Sequence, residues 1–356
     1  MKKLTCIQSD PIDVAGRNAD LTLQSRIADY RSGFLSDLLY KDRKLFEYFC
    51  KMQSILPIEK FPIFRHKMTE FEKARAPFFE QYARAVAQIM TALKQGPKSS
   101  KELEDLGKME WGWGRSARVS NVILTRLWVS GRLMIHHRKG AIKYYSPIED
   151  ILPPGLQSAK PPSKGQDSAE MVKILLDASR LASASRSPEM WWGIGKTGKI
   201  RELLSMLEKK GHLFSLRVKG YPDILYAPID DEDTWRDPPS IDEDFVRFLA
   251  PLDPMLWNRS LFKAMFGMEY AWEVYKKPHL RKFGYYCLPV LFNDRVVALV
   301  DPFYKKSERE LEVRNFHVQS KDLPKARFKR AFERELDRFC AYLGAEDVDW
   351  KCKKRF

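Results

Sequence analysis

The chain has 356 residues, 44% of them hydrophobic, a length that accommodates two to four small domains. It contains no run of 18 apolar residues that would span a bilayer and no signal peptide behind "MKKLTC", so a cytoplasmic protein is expected. Its formal net charge of +15 and its pI near 9.4 favour a polyanionic partner, either nucleic acid or anionic lipid.

The cysteines and histidines do not predict a metal site. The five cysteines are scattered without a C-x-x-C pair, and we interpret them as reduced packing residues. His136 and His137 are adjacent, but no cysteine or third histidine lies near them in the sequence to complete a zinc site.

The first predicted helix runs from Asp10 to Ile27. Asp10 would cap it, Pro11 suits its first position, and apolar residues follow at helical spacing. A second helix is predicted over residues 43–56, and residues 57–64 are expected to form a proline-broken connection.

The order of elements over residues 65–151 is helix, helix, helix, hairpin, which is typical of a winged helix. The predicted parts are a helix over 76–94, a capped short helix over 99–107, a helix over 115–131 and a hairpin over 132–147 that turns at Lys139-Gly140.

After a linker rich in Pro, Ser and Gly over residues 152–168, the same pattern recurs over residues 169–228. Its parts are helices over 169–182 and 197–211 and a wing over 212–228 that turns at Lys219-Gly220. The repeat predicts a second complete winged helix.

An acidic linker over residues 229–244 precedes a region of strands over residues 245–320. The predicted strands are 270–276, 283–292, 295–304 and 311–319, with a hairpin turn at Asn293-Asp294. They indicate a small antiparallel β-barrel or curled sheet. Residues 321–356 hold a final amphipathic helix, from Pro324 to Leu343, and a basic tail that is expected to be disordered. The expected fold class is therefore α+β, with tandem winged-helix (helix-turn-helix) domains before the barrel and the C-terminal helix.

Basic residues cluster on the recognition helix and wing of the first complete winged helix and predict a phosphate-binding surface, although a solvated face is the alternative. They are Arg115, Arg118, Arg126, Arg132, His136, His137, Arg138, Lys139 and Lys143. Trp111 and Trp113 are interpreted as packing residues rather than base-stacking ones.

Two further motifs are interpreted as having no chemical role. "GIGKTGKI" at 193–200 has the glycine and lysine spacing of a phosphate loop, but Ile200 occupies the place of the magnesium-binding hydroxyl and no apolar strand precedes it. "DDED" at 230–233 lacks the spacing of a calcium loop and is expected to be a solvated acidic loop.

"CIQSDPID" at 6–13 places Gln8 and Asp10 two residues apart. In an extended segment both side chains point the same way, and a helix N-terminus behind Asp10 would favour its ionised form. One interpretation is that Asp10 merely caps its helix. The other is that the pair is a fixed carboxylate with an amide beside it.

These residues resemble a known family. "IQSDPIDVAGRNADLTLQSRI" is similar to the catalytic segment of the YcaQ/AlkZ-type DNA glycosylases, whose motif is Gln-x-Asp or Gln-x-Gln. "LFEYFCKMQSILPIE", the first complete winged helix and most of the segment 250–302 also resemble that family. The resemblance implies three tandem winged helices, a C-terminal β-barrel, and excision of alkylated bases that extends to unhooking of DNA interstrand crosslinks.

If the family's motif is carried over to this chain, the resemblance makes Gln8 and Asp10 the catalytic pair. It also implies that the substrate is double-stranded DNA with alkylated bases or crosslinks and that no metal or cofactor is needed. This sequence departs from the family at Ser9, where a small or apolar residue is usual. Since seven residues precede Gln8, the first winged helix over residues 1–64 is expected to be incomplete, and an in-frame extension upstream of Met1 is expected. We expect a monomer in the cytoplasm, associated with the nucleoid and without a membrane partner.

Alkylation at N7 makes guanine a cationic leaving group, so a carboxylate and a water held by an amide suffice for hydrolysis. Two other hypotheses stay open. The chain could be a winged-helix DNA-binding protein without catalysis, which explains the charge and the repeats. It could also be an inactive relative of the glycosylases.

Overall fold

The computed structural model describes residues 1, 3–110, 116–163, 165–186, 189–320 and 322–353. The chain divides into two compact units, of which the first combines Met1–Cys6 with Leu35–Met171 and the second combines Ile7–Phe34 with Val172–Phe356. Residues 1–64, expected to form one domain, are thus divided between the two units. Within the described ranges, the helices are too short or too polar to cross a membrane.

The helices are α1 (Asn18–Gln24), α2 (Phe34–Tyr40), α3 (Arg65–Ala74), α4 (Ala76–Gln81), α5 (Ala83–Leu93), α6 (Val119–Val129), α7 (Pro154–Gln157), α8 (Gln166–Ser179), α9 (Thr197–Lys209), α10 (Glu232–Arg236), α11 (Arg259–Phe266) and α12 (Lys325–Leu343). The strands are β1 (Ile7–Gln8), β2 (Leu45–Phe49), β3 (Gln53–Pro57), β4 (Lys108–Glu110), β5 (Ser116–Arg118), β6 (Leu133–Lys139), β7 (Ile142–Pro147), β8 (Ala182–Ser183), β9 (Leu213–Leu216), β10 (Leu225–Pro228), β11 (Val246–Phe248), β12 (Leu288–Phe292), β13 (Arg295–Lys305), β14 (Glu310–Val318) and β15 (Asp347–Trp350).

In the first unit, the helix predicted over residues 43–56 is wrong, because β2 and β3 form an antiparallel hairpin there. Both faces of β2 are buried, so its sequence does not alternate between apolar and polar residues. Phe46 packs edge-on against Phe61 and Phe64, and the Tyr48 hydroxyl donates to the Val129 carbonyl at 2.6 Å. The connection over residues 57–64 is largely a 3-10 helix, Ile58–Phe64.

The other elements predicted in the first unit are partly confirmed. The helix expected over residues 76–94 is interrupted at Tyr82, between α4 and α5. Ser99 and Glu102 make the predicted capping hydrogen bond, from the Ser99 N–H to Glu102 Oε2 at 2.9 Å, but a turn follows instead of a helix. α6 and the β6–β7 hairpin, which turns at Gly140, agree with the prediction.

Among the described residues, the second unit has two sheets of its own. In the smaller one, β10 lies between β8 and β9, and with α8 and α9 it supplies the elements predicted for the second winged helix. The larger sheet has the order β11-β12-β13-β14-β15, in which β14 and β15 are parallel and the other pairs antiparallel. Its two edge strands are not bonded to each other, so the predicted barrel is an open half-barrel. The hairpin turn at Asn293-Asp294 is confirmed.

α12 begins and ends within one residue of its predicted bounds and packs on the larger sheet. Phe332 lies 5.4 Å from Phe248 and 5.1 Å from Phe316, measured between ring centroids. Of the tail that was expected to be disordered, residues 354–356 lie outside the described ranges. The winged-helix assignment of both repeats remains a prediction.

Candidate active site

The segment that holds Gln8 and Asp10 is a short strand followed by a turn. β1 ends at Gln8, and Asp10 Oδ1 accepts the backbone N–H of Ile12 at 2.9 Å. Because α1 begins only at Asn18, the helix predicted from Asp10 is wrong there and Asp10 does not cap it. An aspartate bonded to the N–H two residues later forms an Asx-turn, whose sequence signature is the same as that of an N-cap.

The chain reverses between Asp10 and α1 at Gly16, whose φ of +100° favours glycine. The carbonyl of Gly16 accepts the hydroxyl of the fully buried Tyr286 at 3.1 Å. A Cβ at this position would lie 2.6 Å from the hydroxyl oxygen of Tyr342. The turn is therefore fitted closely against two buried tyrosines.

Asp10 is half-buried, and burial raises the pKa of its carboxyl group, although the hydrogen bond from Ile12 partly offsets this effect. The expected helix N-terminus would have lowered that pKa, so the structure reverses the predicted direction. Burial first, and then the charge of Asp10, raise the pKa values of Tyr275 and Tyr286. Both tyrosines therefore lie close enough to Asp10 for its charge to act on them.

Trp272 contacts both tyrosines and joins them into one cluster, which we call the aromatic wall (Trp272, Tyr275 and Tyr286). Its ring centroid lies 5.7 Å from that of Tyr275 and 5.9 Å from that of Tyr286. Tyr286 is fully buried, whereas Tyr275 is 78% exposed. This wall was not predicted from the sequence, and the strand expected over residues 270–276 is wrong, because the structure has a 3-10 turn there, Glu273–Tyr275. The interleaving of aromatic and basic residues in "YAWEVYKKPHLRKFGYY" could have indicated it.

Glu273 holds the base of an exposed loop beside this wall. Its buried carboxylate accepts the N–H groups of Lys282 and Phe283, each at 2.8 Å, and Lys276 Nζ at 2.7 Å. Burial would raise the pKa of Glu273, but these hydrogen bonds outweigh it and lower the pKa to about 2. We call residues 276–282 the basic loop. Its basic side chains are Lys276, Lys277, His279, Arg281 and Lys282.

In the first unit, two predicted DNA-binding residues are engaged by Glu47 and Gln53. Arg138 Nη2 lies 2.5 Å from Glu47 Oε2, and the Arg138 side chain is 10% exposed. Glu47 also accepts hydrogen bonds from Tyr40 at 2.7 Å and Gln53 at 2.8 Å. Lys143 Nζ donates to Gln53 Oε1 at 3.0 Å, and burial followed by the charge of Arg138 lowers its pKa to about 8. Arg138 and Lys143 thus stabilise the fold, and a phosphate would have to compete with these bonds.

The other predicted members of that surface differ in exposure. Arg118 and Lys139 are exposed at the start of α6 and at the tip of the wing. Arg126 is half-buried, with its guanidinium carbon 3.6 Å from the centre of the Phe78 ring, and Arg132 is also half-buried. Arg118 and Lys139 are therefore the best placed to meet a phosphate.

His136 and His137 are half-buried on the wing, with their Nδ1 atoms 2.9 Å apart. Burial first, and then neighbouring cations, lower the pKa values of both imidazoles. Their charged forms are therefore less favoured than in an ordinary histidine, so both add less positive charge to the surface. Arg115, Trp111 and Trp113 lie outside the described residues.

The phosphate-loop spacing does not build a nucleotide site. Ile200 is fully buried on α9, in the place where such a loop has a magnesium-binding hydroxyl. In the acidic stretch at 230–233, Asp231 bonds Arg180 through its Oδ2 at 2.6 Å. Within the described ranges, Glu310, Glu312 and Asp349 also bring carboxylates together. Lys305 Nζ lies 2.8 Å from Glu310 and 2.9 Å from Glu312 and offsets part of their negative charge.

Comparison with known proteins agrees with this architecture. The family model described as "DNA glycosylase AlkZ-like" matches residues 1–342. The chain is also similar to the solved structure of the DNA glycosylase AlkZ from Streptomyces sahachiroi, with a TM-score of 0.64 and 16% sequence identity. That similarity covers 98% of this chain and 91% of the Streptomyces chain, and at this identity it establishes the fold alone.

Proposed function

The chain belongs to the AlkZ-like family of DNA glycosylases, and on this premise we propose that it hydrolyses the N-glycosidic bond of N7-alkylated purines in double-stranded DNA. The proposed enzyme is monofunctional, with Gln8 and Asp10 as its catalytic pair and no cofactor. Its membership of a glycosylase family supports a role in DNA repair, and the lesion and the catalytic residues are our proposals.

The chemistry needs few groups. An alkyl group at N7 makes the purine cationic, so the base leaves as a neutral molecule with the electron pair of the C1′–N9 bond. The deoxyribose that remains has oxocarbenium character, and the oxygen of a water molecule bonds to C1′. The Asp10 carboxylate stabilises the positive sugar and accepts the proton that the water loses. The Gln8 amide holds the water, and the proton on Asp10 passes to solvent.

The observation that carries the proposal is the half-buried position of Asp10 beside the aromatic wall. Partial burial makes a carboxylate a stronger base, because the charged form loses hydration. It also strengthens the attraction between that charge and a cationic sugar, since fewer water molecules screen it. A helix-capping aspartate on an exposed surface would have neither property.

The groups around Asp10 suit a DNA substrate. Tyr275 is 78% exposed and presents an aromatic face, and the basic loop places cations on the same stretch of chain. We include interstrand crosslinks among the substrates because Asp10 is half-buried rather than enclosed. A crosslinked base is tethered to the opposite strand and cannot enter a deep pocket.

In the first unit, we retain Arg118 and Lys139 as proposed phosphate contacts, with Arg126, Arg132, His136 and His137 in supporting positions. We remove Arg138 and Lys143 from that set because Glu47 and Gln53 already bind them. Phosphate contacts of this kind fix the position of the protein on the duplex without reading its sequence.

The proposal is tested by single-turnover release of 7-methylguanine from duplex DNA, with an undamaged duplex as the control and a duplex carrying an N7-linked interstrand crosslink as a second substrate. Release of the methylated base with an abasic site left behind is the expected result. DNA binding without release from either substrate would refute the proposal and favour a non-catalytic DNA-binding protein or an inactive relative.

A further inference from the structure

Asn18 connects three segments of the second unit through its side chain. It is the first residue of α1 and is fully buried. Its Nδ2 donates to the backbone carbonyl of Gln8 at 2.8 Å, and its Oδ1 accepts the N–H of Leu252 at 2.8 Å. One amide thus uses a donor and an acceptor to tie β1 and α1 to the segment around Leu252.

The far end of this connection is fixed. The carbonyl of Leu252 accepts the Trp257 indole N–H at 3.0 Å. The next residue, Asp253, is fully buried and binds both terminal nitrogens of Arg26, at 2.7 and 2.8 Å. Arg26 follows α1, so α1 is braced against the same segment at both of its ends. Leu252 is therefore a rigid point to which Asn18 attaches the strand.

We infer that Asn18 is a positioning residue for catalysis, which fixes the strand that carries Gln8 and the turn that carries Asp10. The inference rests on the proposed function for the roles of those two residues. Each backbone residue has two soft dihedral angles, so holding the Gln8 carbonyl restricts the direction of its side chain and the start of the Asp10 turn. Placement of a catalytic group within a fraction of an ångström decides much of its effect.

The inference is specific to an amide at position 18. A leucine has a similar volume but neither donates to the Gln8 carbonyl nor accepts from Leu252, and both backbone groups would be left without these bonds. An aspartate still accepts from Leu252. Its carboxylate form cannot donate to the Gln8 carbonyl, whereas its protonated form can.

The test compares Asn18→Leu and Asn18→Asp with a matched control, Asn258→Leu. Asn258 is also buried at the start of a helix, where its Oδ1 accepts the Leu261 N–H at 2.9 Å. Single-turnover excision and the dissociation constant for duplex DNA are measured on folded protein. We expect Asn18→Leu to slow excision about 10- to 100-fold while DNA affinity changes less than about twofold. Asn258→Leu lowers stability but leaves excision per folded molecule at the wild-type rate.

Hydrogen exchange of residues 7–13 provides a readout that does not depend on activity. Relative to wild type at the same pH, exchange should be faster in Asn18→Leu at every pH. In Asn18→Asp it should return towards wild type as the pH falls, because the protonated side chain restores the missing donor. Asn258→Leu should not change exchange in this segment.

Wild-type excision by folded Asn18→Leu, or an equal loss in Asn258→Leu, would overturn the inference and leave Asn18 a purely structural residue. If wild type releases no base, the proposed function fails. In that case unchanged exchange of residues 7–13 overturns the positioning role, and faster exchange in the Asn18 variants supports it.

Discussion

Glu47 in the first unit and Asp10 in the second are both carboxylates withdrawn from water, but they have opposite electrostatic surroundings. Burial would raise the pKa of Glu47, yet hydrogen bonds and charge from Arg138, with a hydrogen bond from Tyr40, lower it. At Asp10, burial raises the pKa, and the N–H of Ile12 offsets this only in part. The difference distinguishes a charge that stabilises the fold from a charge that remains available to a reactant.

The comparison explains why sequence position alone places Arg138 on the predicted DNA-binding surface. It lies among basic residues on a predicted wing, as a phosphate-binding arginine would, but its guanidinium is bound to a carboxylate 91 positions earlier in the chain. The net contribution of such a buried ion pair to stability is small. Removing one partner is nevertheless costly, because the remaining charge is then uncompensated.

The substitution Asp10→Asn tests most directly whether the Asp10 carboxylate acts in excision. Excision should fall about 10²- to 10⁴-fold, because the carboxylate that acts as base is lost. Stability should stay within about 1 kcal/mol of wild type, since the asparagine Oδ1 still accepts from Ile12. DNA affinity should be unchanged or higher, because a negative charge near phosphates is removed. Gln8→Ala should be slowed less. Equal single-turnover rates for wild type and Asp10→Asn would show that Asp10 only shapes its turn.

Arg138→Ala tests the other carboxylate. Urea unfolding should show a loss of about 3 to 5 kcal/mol, because Glu47 remains buried without its main partner. Excision per folded molecule should not change. Lys139→Ala, at the next position and exposed, is the control and should alter stability by less than about 0.5 kcal/mol. A mild effect of Arg138→Ala on stability, together with weaker DNA binding, would return Arg138 to the DNA-binding surface.

Acidification should separate the two carboxylates. Asp10 must be ionised to accept a proton, so excision should fall about tenfold per pH unit below its raised pKa. The pKa of Glu47 is lowered by folding, so its contribution is present above its unfolded pKa and is lost as the pH falls through the folded value. The acid loss of excision should therefore follow a pKa above the ordinary aspartate value, and the acid loss of the Glu47 contribution should follow a pKa below the ordinary glutamate value. A rate profile and unfolding curves over the same pH range check both directions.

The smallest expected effects concern salt. Lys277→Ala and Lys139→Ala should each reduce the slope of log affinity against log salt by about 0.9, if each lysine contacts one phosphate. Arg138→Ala should leave the slope unchanged, because Glu47 already neutralises it. Equilibrium titrations of an undamaged duplex between low and physiological salt measure all three. An unchanged slope for Lys277→Ala would exclude that residue of the basic loop from the DNA contacts.

Elements whose apolar pattern faces a single core were predicted from the sequence. α6, α9, α12 and the hairpin at Asn293 agree with the structure because periodicity and turn chemistry are local. β2 was not predicted correctly, since a strand buried on both faces has no alternation, and its buried Glu47 is satisfied by a distant arginine.

The candidate site was likewise predicted only in part from the sequence. Gln8 and Asp10 were found from their spacing, but the helix cap assigned to Asp10 was wrong because an Asx-turn and an N-cap begin alike. The aromatic wall could not be placed beside Asp10 from the sequence. Tyr275 and Tyr286 lie more than two hundred residues later in the chain, and only the folded second unit brings them to it.

The closure of the basic loop at Glu273 has a consequence for protein engineering. Glu273 gathers backbone N–H groups and Lys276 at the base of the loop, and Arg281 Nε donates to the Lys276 carbonyl at 3.0 Å, so the ends of the loop are fixed independently of residues 277–280 at its tip. Such a segment can be exchanged as a cassette, in which length, charge and aromatic content are varied while the scaffold is kept. A library confined to these four positions would vary the DNA contacts that we propose for the loop without repacking the half-barrel.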